Sequence, residues 1–192
     1  MFAVSMASSE ITLEAVSSIS AIPAAEWDAC ANPGVDSGEA SKSYYNPFVS
    51  HAFFAAAEAS GSATPRTGWG ARHLIAKLDG KIVGIVPCYL KSHSQGEYVF
   101  DRGWADAYER AGGSYYPKLQ VSVPFTPATG PRLLIRDGVD RARIAEVLAA
   151  GLKALCNATE ASSVHATFMR ETEAKSLAEH GFLIRNDQQF HW

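Results

Sequence analysis

The feature that most constrains the fold is the dipeptide Asp79-Gly80, set between two apolar runs, Arg72–Leu78 and Lys81–Lys91. A two-residue hairpin turn of type I′ needs positive φ at both central positions, and Asp-Gly supplies them readily. The pair therefore predicts two antiparallel strands in fixed register, around which the other elements must be arranged. Ile11–Ser18 alternates, with Ile11, Leu13 and Ala15 on one side, and reads as a first strand. Pro23 opens a short helix over Ala24–Ala31, and Ser50 caps a second helix whose apolar stripe is Phe53, Phe54 and Ala57. Asn32–Ser43 and Ser60–Gly70, rich in Gly, Ser and Pro, read as loops.

Beyond the hairpin, Tyr98–Asp101 reads as a short extended piece and Arg102–Ala111 as a helix ended by Gly112-Gly113. Leu119–Val123 alternates as a strand that stops at Pro124, and the loop Phe125–Gly130 leads into a second extended piece, Pro131–Ile135. Asp140 caps the best helix of the chain, where Ile144, Val147, Leu148, Leu152 and Leu155 recur at helical spacing. A strand over Val164–Phe168, a helix over Glu171–Glu179 and a last strand over Phe182–Phe190 complete the order. The expectation is a flexible N-terminus, 1–10, and one α/β (α+β) domain, 11–192, with a mixed, mainly antiparallel sheet flanked by helices. The final Gln188-Gln189-Phe190-His191-Trp192 puts aromatic residues at the chain end. That predicts a truncated chain, or an edge strand meant for another segment or for a second subunit in a homodimer.

Composition excludes several classes. Of the 192 residues 47% are hydrophobic and 19% charged, enough apolar surface for a packed core. A net charge of −3 argues against nucleic acid as a bulk partner. Cys30, Cys88 and Cys156 are odd in number and scattered, so reduced buried thiols and a cytoplasmic location are expected. No apolar run approaches the ~20 residues that cross a bilayer. The six histidines form no i, i+4 pair and have no nearby cysteine, so no metal site is expected. No G-x-S-x-G elbow of a hydrolase is present.

Chemistry-bearing residues concentrate between Tyr98 and Leu134. Asp101 is either the N-cap of the following helix or a general base for an amine. Phe100, Trp104, Tyr108, Tyr115 and Tyr116 either line a substrate groove or form helix–sheet contacts. Lys118 either neutralises an anionic substrate or is a solvated strand-end lysine. In the loop, Thr126 and Thr129 offer hydroxyls beside Phe125, Gly130 lets a ligand approach the backbone, and Arg132 offers a fork for carboxylate or phosphate. Backbone N–H groups around Thr129–Gly130 are candidate oxyanion donors. The other reading is that Pro124, Pro127 and Pro131 merely stiffen a turn, with Arg132 at the surface.

The stretch Tyr98 to Gly112, the pentapeptide Tyr115-Tyr116-Pro117-Lys118-Leu119 and the run Pro124-Phe125-Thr126-Pro127-Ala128-Thr129-Gly130-Pro131-Arg132-Leu133-Leu134, with the terminal Gln188–Trp192, carry a resemblance. They are similar to motifs of the FemAB-like peptidoglycan biosynthesis/recognition family, related to GNAT acyltransferases, and the similarity runs from about Ile11 to Trp192. The order of elements resembles the GNAT arrangement as well. The resemblance implies acyl or aminoacyl transfer to peptidoglycan precursors or peptide amines, with acyl-CoA or aminoacyl-tRNA as donor and a small-molecule or peptide substrate. It also implies a second, C-terminal half beyond Trp192. The Q/R-x-x-G-x-G/A turn on which GNAT enzymes hold pyrophosphate is absent; Arg136-Asp137-Gly138-Val139-Asp140 stands there, with two aspartates that repel such a group. The alternative expectation is a non-catalytic half that recognises a peptide or cell-wall fragment.

Overall fold

The computed structural model describes residues 10–34, 45–99 and 101–186. Asp79 and Gly80 both take positive φ, 50° and 80°, and close the expected hairpin. The hairpin is longer than the sequence suggested. Its first arm is β2 (Trp69–Ala71) followed by β3 (His73–Leu78), and its second is β4 (Lys81–Val86) followed by β5 (Cys88–Lys91). The arms are interrupted at Arg72 and at Pro87, whose missing N–H breaks the ladder. The Arg72 N–H donates to the Cys88 carbonyl at 2.8 Å, so the two arms stay together across the interruption.

The hairpin is the common spine of two four-stranded sheets. With β1 (Ile11–Val16) and β7 (Leu134–Ile135), its lower part forms the sheet β1-β3-β4-β7, antiparallel throughout. With β6 (Lys118–Val121) and β8 (Val164–Ala166), its upper part forms β2-β5-β6-β8, in which only the β6·β8 pair is parallel. Ala76 pairs with Gly84 and Lys77 with Ile82, leaving Val83 as a bulge.

Helices cover the spine on both faces. On one face α1 (Ala24–Ala31) and α2 (His51–Ala59) bury Trp27, Phe54, Ile75 and Ile85 in a common core. Ser50 accepts the Phe53 N–H as the expected N-cap. The Trp27 indole N–H donates to the Val49 carbonyl at 2.8 Å. On the other face α4 (Arg141–Ala158) and α5 (Glu171–Glu179) bury Ile144, Leu148, Leu152 and Leu177 against Leu74, Val86 and Val121. Asp140 caps α4 through the Arg143 N–H. The helix lies close to the sheet because Gly84 has no side chain: a Cβ there would come within 2.8 Å of Ile144 Cγ2 and 3.0 Å of Leu148 Cδ1.

The mixed, mainly antiparallel α/β architecture is as expected, with three corrections. The last two residues of the loop read over Ser60–Gly70 belong to β2, because a three-residue strand with a central glycine carries too little alternation to register. Pro131–Ile135 is strand only at its last two residues. No strand forms over 182–186, and the remainder of the expected last strand, 187–192, lies outside the described residues. So do Met1–Ser9, most of the 32–43 loop, and Phe100. No helix among the described residues is long and apolar enough to cross a membrane.

Candidate functional site

Among the described residues, two places where polar groups gather adjoin the loop that joins β6 and β7. The first is the face of the upper sheet turned toward the α1–α2 side. Register aligns its side chains in cross-strand rows: Trp69, Lys91 and Lys118 in one, Ala71, Tyr89, Gln120 and His165 in the next. Ser122 and Thr167 continue the pattern, and the Gln120 amide donates to the Thr167 hydroxyl at 3.0 Å. Residues 93–99, Asp101 and the loop after β6 roof this face. Lys91 and Gln120 are 0% exposed, Lys118 and Asp101 1%, and Glu97 3%.

A buried ion cluster organises the layer. Lys118 Nζ donates to Asp101 Oδ2 at 2.6 Å and to Glu97 Oε2 at 2.7 Å, and the Tyr115 hydroxyl donates to the same Asp101 oxygen at 2.8 Å. Lys91 Nζ sits 3.5 Å from the Trp69 ring centroid, donates to the Gln95 carbonyl at 3.1 Å and lies 3.8 Å from Glu97 Oε1. Burial pushes the Lys91 ammonium down to about 7, although Glu97 opposes the fall. Burial raises Glu97 above the usual carboxylate range against the pull of Lys118. Burial also works to raise Asp101, but hydrogen bonds from Lys118, Ser94 and Tyr115 outweigh it and hold that carboxyl below its ordinary value. Burial, helped by Lys118, lowers the His165 imidazole to about 4.

The second place is a cavity of about 560 Å³ beside β7. Its walls come from the C-terminal end of α1 (Cys30, Asn32), the start of α4 (Arg141, Ala142) and the start of α5 (Arg170, Thr172), with Pro131 from the loop. Arg141 and Arg170 are exposed, so the rim carries two guanidinium groups. Glu173 is spent inside the wall: its carboxylate accepts the backbone N–H groups of Arg132 and Leu133 at 2.6 to 3.1 Å. Asn32 and Asn46 brace the far side through two hydrogen bonds, at 2.7 and 3.2 Å.

The structure corrects several residue assignments. Asp101 stands at the N-cap position of α3 (Arg102–Arg110) but makes no capping hydrogen bond; Lys118 and Tyr115 take its carboxylate. Held ionised, it is a weak acceptor for an amine proton. Lys118 is buried rather than solvated. Arg132, expected at the surface or as a ligand fork, is 1% exposed. Its guanidinium donates to the carbonyls of Ala128, Pro131 and Thr167, so it braces the loop. The Gly130 N–H, a candidate oxyanion donor, donates to the Phe168 carbonyl at 3.0 Å. The Thr126 hydroxyl donates to the Pro124 carbonyl, while Thr129 is exposed. Of the aromatic set, Tyr115 is buried, Tyr116 is partly buried with its hydroxyl 2.7 Å from the Ser94 hydroxyl, and Trp104 and Tyr108 stand exposed on α3. Phe125 is exposed too, with its ring against Trp69 at 5.3 Å.

Sequence reasoning missed Lys91, Glu97, Gln120, Arg141 and Arg170. A signal for the first group was present: Tyr89-x-Lys91 and Lys118-x-Gln120-x-Ser122 alternate with apolar residues, which marks a polar sheet face. Nothing local shows that the face is roofed.

A model of a FemAB-like family, described as peptidoglycan biosynthesis/recognition, matches residues 18–192. Among solved structures, an aminoglycoside acetyltransferase from an uncultured soil metagenomic sample, crystallised with trehalose, is similar at 11% identity with a TM-score of 0.47, over 95% of this chain and 93% of that one. No curated protein matches.

Proposed function

Because the chain belongs to the FemAB-like peptidoglycan biosynthesis/recognition family, we propose that it is an acyl- or aminoacyl-transfer domain that seats an anionic substrate in the cavity between α1, α4 and α5. The observation that carries this reading is the pair Arg141 and Arg170 on the rim of a 560 Å³ chamber, walled by elements that the hairpin and α4 hold rigidly. Guanidinium groups recognise carboxylates and phosphates through two parallel N–H donors. Acyl-CoA, aminoacyl-tRNA ends and peptidoglycan precursors all carry such groups. In the reaction class, an amine nitrogen attacks the acyl carbonyl carbon, the amine proton passes to a base, and the leaving group departs with a proton. Among the carboxylates of the roofed layer, Glu97 suits the base role better than Asp101, since its pKa is raised and its Oε1 accepts no hydrogen bond.

A second reading, ligand recognition without chemistry, draws on one observation. The Asp140 carboxylate occupies the first turn of α4 by accepting the Arg143 N–H at 3.1 Å, which fills the helix end where a pyrophosphate would dock.

Calorimetry with acetyl-CoA and with a nucleotide-linked peptidoglycan precursor, paired with mass-spectrometric detection of acyl transfer to a lysine-containing peptide, separates the two. The Arg141→Ala/Arg170→Ala double variant is expected to bind about 10- to 100-fold more weakly, from the loss of charged hydrogen bonds. Unchanged affinity in that variant would remove the cavity from the function. Binding without turnover selects the recognition reading.

A further inference from the structure

The lower sheet ends on β1, which pairs with β3 on one side and, among the described residues, with no strand on the other. An open edge presents unpaired N–H and C=O groups to any extended segment. Folded proteins keep such edges short or guard them with lysine, proline or a bulge. Three of the four sheet edges here are short: β7 has two residues, β2 and β8 three each. β1 is not. Its six residues contain no proline, glycine or lysine, and they pair with β3 without a bulge. Its one charge is turned to its neighbour, since Glu14 Oε1 lies 2.6 Å from Lys77 Nζ on β3. Leu13, in the middle of the strand, is 39% exposed.

The charges along β1 select the occupant of that edge. Ile11, Leu13 and Ala15 share the α4 side, where a Cβ on Gly151 would come within 2.8 Å of Leu13 Cδ1 and 2.9 Å of Leu74 Cδ2. Thr12 and Glu14 share the other side with Lys77, which stands opposite Thr12 in register. A second copy that meets this edge about a twofold axis normal to the sheet runs antiparallel and keeps like faces together. Each allowed register is then centred on one residue facing its own copy. Centred on Thr12, the pairing sets Glu10 against Glu14 twice; centred on Glu14, it sets that carboxylate against itself. Centred on Ile11 or Ala15, it leaves half or more of the strand without a strand partner. Centred on Leu13, no like charges meet: Leu13 faces Leu13, Ile11 faces Ala15, and Thr12 faces Glu14. Lys77 then lies beyond Thr12 in the row of the copy's Glu14, so each carboxylate has a lysine from both chains on its side of the sheet.

We infer that β1 is the interface of a homodimer, in which it pairs antiparallel with β1 of a second copy with Leu13 on the twofold axis. The two four-stranded lower sheets become one continuous sheet of eight strands. The contact covers Leu13 where α4 leaves it open, and it satisfies the free backbone groups of an edge that nothing in its own sequence blunts. A pair of six-residue strands is a small interface, so association belongs to the micromolar range rather than below it. The inference is independent of the cavity and of acyl transfer.

Sedimentation velocity of the full chain from roughly 1 to 500 μM should show a monomer passing into a dimer. Thr12→Glu places a carboxylate opposite Glu14 of the copy at two positions, while in its own chain it stands beside Lys77. Association should therefore weaken about tenfold with the unfolding midpoint retained. Adding Glu14→Lys to Thr12→Glu makes both facing pairs attractive and should restore the dimer, a rescue particular to the register centred on Leu13. In a mixture of labelled and unlabelled wild-type chains, an isotope-filtered NOE should join the Leu13 methyls of the two copies; this readout does not depend on how either variant folds. A chain that stays monomeric throughout, a dimer indifferent to Thr12→Glu, a double variant without rescue, or a dimer lacking the Leu13 contact overturns the proposal. A monomer whose β1 amides all resist hydrogen exchange would assign the edge to another part of the same chain instead.

Discussion

At the scale of single residues, burial rather than sequence neighbourhood decides what each ionisable group does. His165 shows it most simply. Its ring lies 5.9 Å from that of Tyr115, its Nε2 is 2.8 Å from the Ser163 hydroxyl, and burial beside Lys118 lowers it to about 4. A histidine lowered in the folded state takes up its proton more readily when the chain unfolds. Between about pH 6.5 and 4 the unfolded chain therefore binds more protons, and stability contributed by neutral His165 is lost as pH falls through that window. NMR titration should find the His165 ring still neutral at pH 5. A ring already charged there would mean that the layer is wetter than described. His165→Gln should flatten the corresponding part of the stability–pH curve. The same reasoning explains Arg132 and Asp101: each was a fair functional candidate by residue type, and each proves to be tied to neighbours distant in sequence. Arg132 donates to Ala128 and Thr167, and Asp101 receives Lys118 and Tyr115. No spacing in the chain announces those partners.

At the scale of elements, the legible parts are those whose signal is local. The Asp79-Gly80 turn, the Ser50 and Asp140 caps and the 3.6-residue stripe of α4 are each set by a few adjacent residues, and each forms where it was expected. Features that depend on a distant partner were not legible. The Val83 bulge follows from pairing with the opposite arm. Gly84 is the most consequential of these, because α4 packs into the space that a side chain would fill. Gly84→Ala should lower stability by about 1–3 kcal/mol through overpacking against Ile144 and Leu148. Urea unfolding would read that loss as a shift of the midpoint at constant slope. A neutral outcome would show that the two side chains have room to rotate away, and that α4 is held less closely than its contacts indicate.

At the scale of the whole molecule, the layers divide the labour. One helical pair on each face of the hairpin supplies apolar burial, and the polar face of the upper sheet is left to a roof of loops. Family membership covers residues 18–192, so roof, cavity and spine all fall inside the matched region. The sequence indicated the class of architecture and the loop between β6 and β7 as a place of interest. It did not indicate that the loop's arginine is a brace, because that depends on the carbonyl of Thr167, distant in sequence.

The descent of one hairpin through both sheets has a consequence for how the molecule comes apart. Two sheets joined only by loops could open separately; here each arm of the hairpin runs on from one sheet into the other, and the Arg72 N–H bond to the Cys88 carbonyl ties the arms across the break, so the two sheets should open together. The protein should thus behave as a single foldon. In native-state hydrogen exchange, the amides of Leu74, Ile85, Tyr89 and Leu90 should open together with the same free energy and the same denaturant dependence, while exposed Thr129 and the other residues of the prolyl loop exchange far earlier. Two distinct opening energies, one for each sheet, would mean that Arg72 and Pro87 act as a joint rather than as a seam.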